Sequence, residues 1–284
     1  MTTLPQTAAG SAAPPIKELP GANFMLAGAS GSGKTHAIRT LVEAGLEVFV
    51  LFTEPGMEVL ADVPSDKLHW HYVAPASPDF ADMLSSAEKI NGMSFEMLTK
   101  LPDINKKKYH EFIDVLVCLS SFTDDRTGQN FGAVDDWGPD RVFVLDSLTG
   151  LSLMAMNLVT GSKPVKSLAD WGVAIDNLER LLTKLCVDTS CHFGLLAHLE
   201  REVDELTGGS SLMASTLGRK LAPKLPRYFS DVIHVNRKGD KFYWSTASSN
   251  VDTKTRNLPL AENLPPTFVP LINNWRKAHA NTTL

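Results

Sequence analysis

The sequence predicts an α/β fold: a mostly parallel sheet flanked by helices, with a C-terminal β-hairpin and a helical insertion. Three observations carry that expectation. A glycine-rich octet, Gly28-Ala29-Ser30-Gly31-Ser32-Gly33-Lys34-Thr35, stands between a short apolar run and a helical stretch. Apolar runs of strand length then recur, separated by segments of helix length. Two of those runs end in polar residues, Val142–Leu145 in Asp146-Ser147 and Phe193–Ala197 in His198.

Taken in order, Met1 to Pro20 is rich in Ala, Pro, Thr and Gly and reads as a mobile tail. A single domain is expected over 21–275, with a short tail over 276–284. Phe24 to Ala27 is the first strand, and His36 to Ala44 a helix closed by Gly45. Val48 to Phe52 is the second strand, ending at Thr53-Glu54-Pro55-Gly56; Leu68 to Val73 is a third. The rhythm then breaks. Ala81 to Asn91, Phe95 to Leu101 and Lys106 to Phe122 have helical spacing, and Thr123 to Asp140 is dense in turn residues. Residues 76–140 therefore read as an insertion packed beside the core. The strand Val142–Leu145 resumes the pattern, followed by an amphipathic helix over Ser167–Cys186 and the strand Phe193–Ala197. Thr207 to Ser215 is small and polar, a loop. Asp231–Asn236 and Lys241–Thr246 alternate around Gly239-Asp240, a β-hairpin.

Composition narrows the class. The chain of 284 residues is 43% hydrophobic and 21% charged, which suits a folded globular domain. No apolar run reaches a membrane span, and no basic-then-apolar leader opens the chain, so a cytoplasmic protein is expected. The cysteines, Cys118, Cys186 and Cys191, form no CxxC pair; a reducing compartment without disulfides or structural zinc follows. A net charge of −5 gives no overall signal for nucleic acid, so any DNA contact must come from local basic loops.

The octet matches GxxxxGKT. Its glycines turn backbone N–H groups inward around phosphate oxygens, and the following helix adds its positive end. Lys34 is placed to reach the β- and γ-phosphates of ATP, and the Thr35 hydroxyl to ligate Mg²⁺. Asp146, ending its apolar run, is the candidate acid for the metal site; as a bland alternative it caps the next helix. Glu54 ends the strand after the loop's helix, on the edge that faces ligand in such sheets, where a carboxylate can orient attacking water. Glu58 competes for that role. His198 ends a strand on the same edge and can sense the γ-phosphate. Lys254 and Arg256 follow the hairpin, either as a solvated turn or as a finger reaching a neighbouring subunit's γ-phosphate. Lys163, Lys166, Arg219, Lys220, Lys224 and Arg227 are the candidate DNA contacts, crowded by Glu200, Glu202, Asp204 and Glu205. Trp137 and Trp171 read as packing residues rather than base-stacking ones.

Together the loop, Glu54, Asp146-Ser147, His198 and Lys254-Thr255-Arg256 resemble the RecA-like P-loop ATPases. Within them the set is most similar to short phage-encoded ATPases, including single-strand annealing (Sak-type) proteins. The resemblance covers roughly Gly21 to Arg256, interrupted by the insertion. It implies a RecA-like P-loop NTPase core that binds ATP and Mg²⁺, with Glu54 as the catalytic carboxylate. It further implies self-association into a ring or filament, with Lys254 and Arg256 acting in trans. DNA, chiefly single-stranded, is the implied partner, in recombination, annealing or replication. A different class remains open: a nucleotide-switched adaptor or loader that binds a replication or recombination protein through the insertion. A small-molecule kinase fits less well, for want of an arginine-bearing lid.

Overall fold

The computed structural model describes residues 20–102, 106–203 and 210–280. Strand β1 (Asn23–Gly28) shows why the apolar runs are continuous rather than alternating. Met25 and Ala27 point into one core, and Phe24 and Leu26 into another on the opposite face. A strand covered on both faces needs apolar side chains at every position. The same split holds for β2 (Glu47–Phe52), β4 (Arg141–Asp146) and β5 (His192–Val203).

The sheet order is β3-β2-β4-β5-β1-β7-β8, with β3 over Leu68–Tyr72, β7 over Asp231–Lys238 and β8 over Lys241–Ser245. All pairs from β3 to β7 are parallel, and β7–β8 is the expected antiparallel hairpin, turned at Gly239 with φ 64°. Helices α1 (Lys34–Ala37), α2 (Arg39–Glu43) and α9 (Val269–Ala280) cover one face through Ala37, Leu41, Leu271 and Ile272. Helices α5 (Glu111–Ser120), α6 (Leu148–Thr160) and α7 (Leu168–Val187) cover the other. This mostly parallel sheet between helical layers, with the glycine loop leaving the end of β1, is the α/β architecture that the motifs predict. Among the described residues, no helix is long and apolar enough to cross a membrane.

Four details differ from the sequence reading. First, residues 76–140 are not uniform. Helices α3 (Phe80–Asn91) and α4 (Phe95–Thr99) bury no side chain, whereas Phe112, Val115, Cys118, Phe122, Val134 and Trp137 sit inside the main core. Only the first part stands outside the core; the second supplies a wall of it. Second, Lys106–Phe122 is not one helix: a 3₁₀ turn over Lys106–Lys108 precedes α5. Third, Ser210–Ala214, expected as loop, forms β6 and pairs antiparallel with β5 from Leu199↔Ala214 to Val203↔Ser210. Backbone pairing along an exposed extension needs no apolar pattern, so Ser210–Ala214 carries no periodic signal. Fourth, α9 runs through Ala280, past the boundary expected at 275. The expected tails over 1–19 and 281–284 lie outside the described residues, as do 204–209 of the loop after β5. The short helix α8 (Gly218–Leu221) follows β6.

Candidate active site

Register brings the polar strand ends together. Phe52 pairs with Asp146, Asp146 with Leu196, and Gly28 with His198. Glu54, Asp146, His198 and the glycine loop therefore share one edge of the sheet. They line a cleft of about 500 Å³ with Ser30, Gly31, Ser32, Gly33, Thr35, His36, Pro55, Val59 and Phe242. Glu58 is exposed on the adjacent 3₁₀ turn and does not line the cleft, so of the two candidate glutamates Glu54 is the one at the site.

The loop needs its glycines at particular places. Gly31 and Gly33 have φ of 71° and 93°, which side chains rarely tolerate. A Cβ at Gly28 would come within 2.6 Å of the Val235 carbonyl oxygen and 2.7 Å of Ser32 Oγ. Ser32 Oγ is buried at the loop without a protein partner, which suits a site that takes a hydrogen-bonding ligand.

Lys34 lies buried at the centre. Its Nζ donates to the carbonyls of Gly28 (2.9 Å) and Ala29 (3.0 Å) and lies 3.3 Å from His198 Nδ1. Burial lowers its pKa, and the charges of Asp146 and Glu54 act against that shift. Thr35 Oγ1 donates to Asp146 Oδ2 at 2.6 Å, so the two residues expected to serve Mg²⁺ are in contact. Burial raises the Asp146 carboxyl above its ordinary value, opposed by the Thr35 bond and Lys34. His198 Nε2 lies 3.2 Å from Glu54 Oε2. That hydrogen bond is the largest influence on Glu54, whose pKa is lowered despite partial burial; Ser147, the charge on His198 and Lys34 add to the lowering. Glu54 is thus an oriented anion, and His198 links it to Lys34.

The support beneath Glu54 was not legible beforehand. Thr53 Oγ1 accepts from Ser147 N and donates to Ser147 O, both at 2.9 Å, and Thr53 N donates to the Asp146 carbonyl at 2.8 Å. These bonds clamp the ends of β2 and β4, so Glu54 and Asp146 hold a fixed separation. Ser147 also caps α6. Gly150, in the first turn of α6, passes directly under Thr53 and Glu54.

The sequence matches the family model described as "AAA domain" over residues 21–257. The chain belongs to the AAA domain family. With its phosphate loop, this AAA-domain protein is a P-loop ATPase. No curated protein matches it. Among solved structures it is similar to an ATPase from the type III secretion system of pathogenic bacteria, at 14% identity and TM-score 0.40, covering 77% of this chain and 53% of that one. It is also similar to the RadB recombinase, at 14% identity and TM-score 0.40, covering 87% and 86%. A third similarity is to EscN from enteropathogenic E. coli, at 13% identity and TM-score 0.36, covering 76% and 43%. The chain thus spans about half the length of the secretion ATPase it matches (53%).

The remaining candidates lie away from the cleft of this AAA-domain ATPase. Lys254 bridges to Val232 near the start of β7, and its Nζ donates to the carbonyls of Phe229 (2.7 Å) and Pro226 (3.4 Å). Arg256 is exposed, with its backbone N–H held by the buried Asp231. Asp231 pairs with Phe24, four residues along β1 from Gly28, or about 13 Å of strand. Neither cation reaches its own loop. Of the candidate DNA contacts, Lys163 is held by Asp170 (3.0 Å) and Lys224 by Glu179. Lys166, Lys220 and Arg227 are exposed, Arg227 lying against the Tyr228 ring. The Arg219 side chain lies outside the described residues. Trp137 is core, donating from Nε1 to the Phe131 carbonyl, and Trp171 packs half-buried against the same cluster.

Proposed function

We propose that this ATPase works as an oligomer on DNA, single-stranded DNA foremost, in phage recombination, annealing or replication. One observation carries the oligomeric part. Arg256 faces outward at the sheet edge opposite the phosphate loop, too far to serve its own site, so any contact with a γ-phosphate is made across a subunit boundary. Lys254, tied to Pro226 and Phe229, helps to hold that segment. The DNA part is supported by the exposure of Lys166, Lys220 and Arg227, which lie in segments that follow β4 and β5 along the chain.

In this reading the loop N–H groups and Lys34 bind the phosphates of ATP. Thr35 and Asp146, in contact with each other, are hard oxygen donors that would hold Mg²⁺. Held there, the ion would supply positive charge against the phosphates. Glu54 orients a water in line with the γ-phosphate and accepts its proton. His198, bonded to Glu54 and close to Lys34, positions that carboxylate and passes the state of the γ-phosphate to the β5–β6 extension.

Mixing two inactive variants tests the trans arrangement. Lys34→Ala supplies an intact Arg256, and Arg256→Ala an intact loop. The mixture should regain hydrolysis that neither has alone; no recovery, or full activity of Arg256→Ala alone, refutes it. Gel shift with single-stranded DNA, with and without an ATP analogue, tests the DNA part, and absence of binding in every nucleotide state sinks it.

A second reading, a nucleotide-switched loader, is favoured by α3 and α4. Phe80 and Phe95 there are 89% and 72% exposed, a surface suited to a protein partner. The deletion that tests it must be confined to 80–99, because 106–140 carries core residues. Loss of partner capture with hydrolysis retained supports the loader.

A further inference from the structure

Past Glu54 the chain stays beside the cleft. Pro55 and Val59 line its wall, Val59 on a 3₁₀ turn over Met57–Leu60. The Thr53–Ser147 clamp and the His198 bond hold Glu54 from the strand side. The turn that follows is held by two arginines from elsewhere in the chain. Arg126 ties its far end to the start of β3, donating from Nη1 to the carbonyls of Val63 (2.8 Å) and Leu68 (3.0 Å). Arg39 grips the end nearer the cleft. Its Nη2 donates to the Val59 carbonyl at 2.6 Å, and Nη1 and Nη2 fork onto the two oxygens of Asp62 at 3.0 and 3.2 Å.

Arg39 opens α2, four residues past Thr35 in the helical stretch that leaves the phosphate loop. Its fork therefore joins the element bearing Lys34 and Thr35 to the segment that begins at Glu54. A lysine cannot reproduce it, because only a planar guanidinium offers parallel N–H groups to both carboxylate oxygens and a further one to a carbonyl. The pair adds little to folding: Asp62 is 69% exposed, and ion pairs open to water contribute weakly. What the fork fixes is distance. Glu54 has to present water in line with a phosphate held by Lys34, so the spacing between these two elements bears on the rate more than on the fold.

We propose that Arg39 is a positioning residue for hydrolysis, setting Glu54 against the phosphate loop by gripping Val59 and Asp62. This rests on Glu54 being the carboxylate that orients water. Single-turnover hydrolysis and equilibrium ATP·Mg²⁺ binding of Arg39→Ala, Glu54→Gln and the double variant test it, with thermal unfolding alongside. Arg39→Ala should slow hydrolysis about tenfold or more, since a misplacement near 1 Å costs about 10²-fold. ATP binding should stay within about twofold and Tm within about 3 °C. Arg39→Lys should recover only part of the rate. The double variant should hydrolyse at the rate of Glu54→Gln alone, because a residue that acts through Glu54 then has nothing left to position. A double variant slowed by the product of the two single effects overturns the proposal. So does a wild-type rate in Arg39→Ala, or an equal loss of ATP binding, which shows that the fork merely shapes the phosphate-loop helix. If Arg39→Ala is unfolded, the same cycle run with Arg39→Lys decides. Glu54→Gln hydrolysing at the wild-type rate is a separate result: it removes the role of Glu54, and this proposal with it.

Discussion

Replacing Gly150 by Ala probes the support under Glu54 without substituting a residue that lines the cleft. The new Cβ would sit 2.5 Å from Thr53 Oγ1, 2.8 Å from the Thr53 carbonyl oxygen and 3.0 Å from Glu54 Cγ. The hydroxyl cannot swing away without losing both bonds to Ser147. The carbonyl must retreat by about 0.6 Å, the difference between 2.8 Å and the 3.4 Å at which ordinary contact begins. Overpacking of this kind costs about 1–3 kcal/mol, against about 1 kcal/mol gained by removing a glycine from a helix. Net destabilisation is therefore about 0–2 kcal/mol, too little to unfold the domain. Catalysis is more sensitive: a misplacement near 1 Å costs about 10²-fold, so a loss of about 10–100-fold in kcat is expected. ATP affinity should hold, because the loop on β1 is untouched. Phosphate release under saturating ATP, with nucleotide binding and thermal unfolding alongside, reads all three. Gly172→Ala is the control. It lies in α7 with open space where its Cβ would go. It should keep full activity and raise Tm by about 2–4 °C, the equivalent of about 1 kcal/mol. Wild-type kcat in Gly150→Ala would show that this packing does not set the position of Glu54.

Asp146→Asn should raise thermal stability in nucleotide-free protein while abolishing Mg²⁺-dependent hydrolysis; unfolding curves that drop instead contradict it. The sign follows from burial: the folded-state pKa of Asp146 is raised, so stability falls as pH rises through it, and a neutral side chain removes that loss. Because Asp146 is raised and Glu54 lowered, acidification should first increase the Mg²⁺ concentration needed for half-maximal rate, with kcat at saturating Mg²⁺ falling only later; the reverse order is the contrary result. His192 is buried, accepts from Ala22 N, and has its pKa lowered to about 4. The unfolded chain takes up that proton near pH 6.5, so stability should fall with acid, by roughly 3 kcal/mol at pH 4, and His192→Asn should flatten the slope in urea titrations. Asp231 accepts from Thr255 Oγ1, Arg256 N, Asn257 N and Asn257 Nδ2. Asp231→Ala should therefore cost about 3 kcal/mol and lower hydrolysis at the Arg256 boundary, and unchanged denaturation would count against it.

The local parts of the site were legible because their chemistry is written in neighbouring residues. The octet with its flanking strand and helix needs no tertiary information, and Glu54, Asp146 and His198 stand where apolar runs stop. The sheet register alone then brings them to one edge. The parts that could not be read arise between distant segments. Thr53 and Ser147 are ordinary small polar residues until β2 and β4 pair. Gly150 looks like a weak helix residue until α6 is laid under Glu54. Phe242 belongs to an alternating hairpin and faces the loop only because β7 pairs with β1. Lys163 and Lys224 looked like free cations in sequence, and α7 supplies their carboxylates through Asp170 and Glu179. The stretch over 106–140 lacked the strand–helix rhythm, yet Phe112, Phe122 and Trp137 close one core.

Glu54, held by His198 and the Thr53–Ser147 clamp, is the carboxylate proposed to drive hydrolysis. Glu54→Gln keeps the shape and removes the charge. In single-turnover assays this variant should bind ATP·Mg²⁺ close to wild type and hydrolyse it more slowly by about 10²-fold or more. Hydrolysis within about threefold of wild type would contradict it.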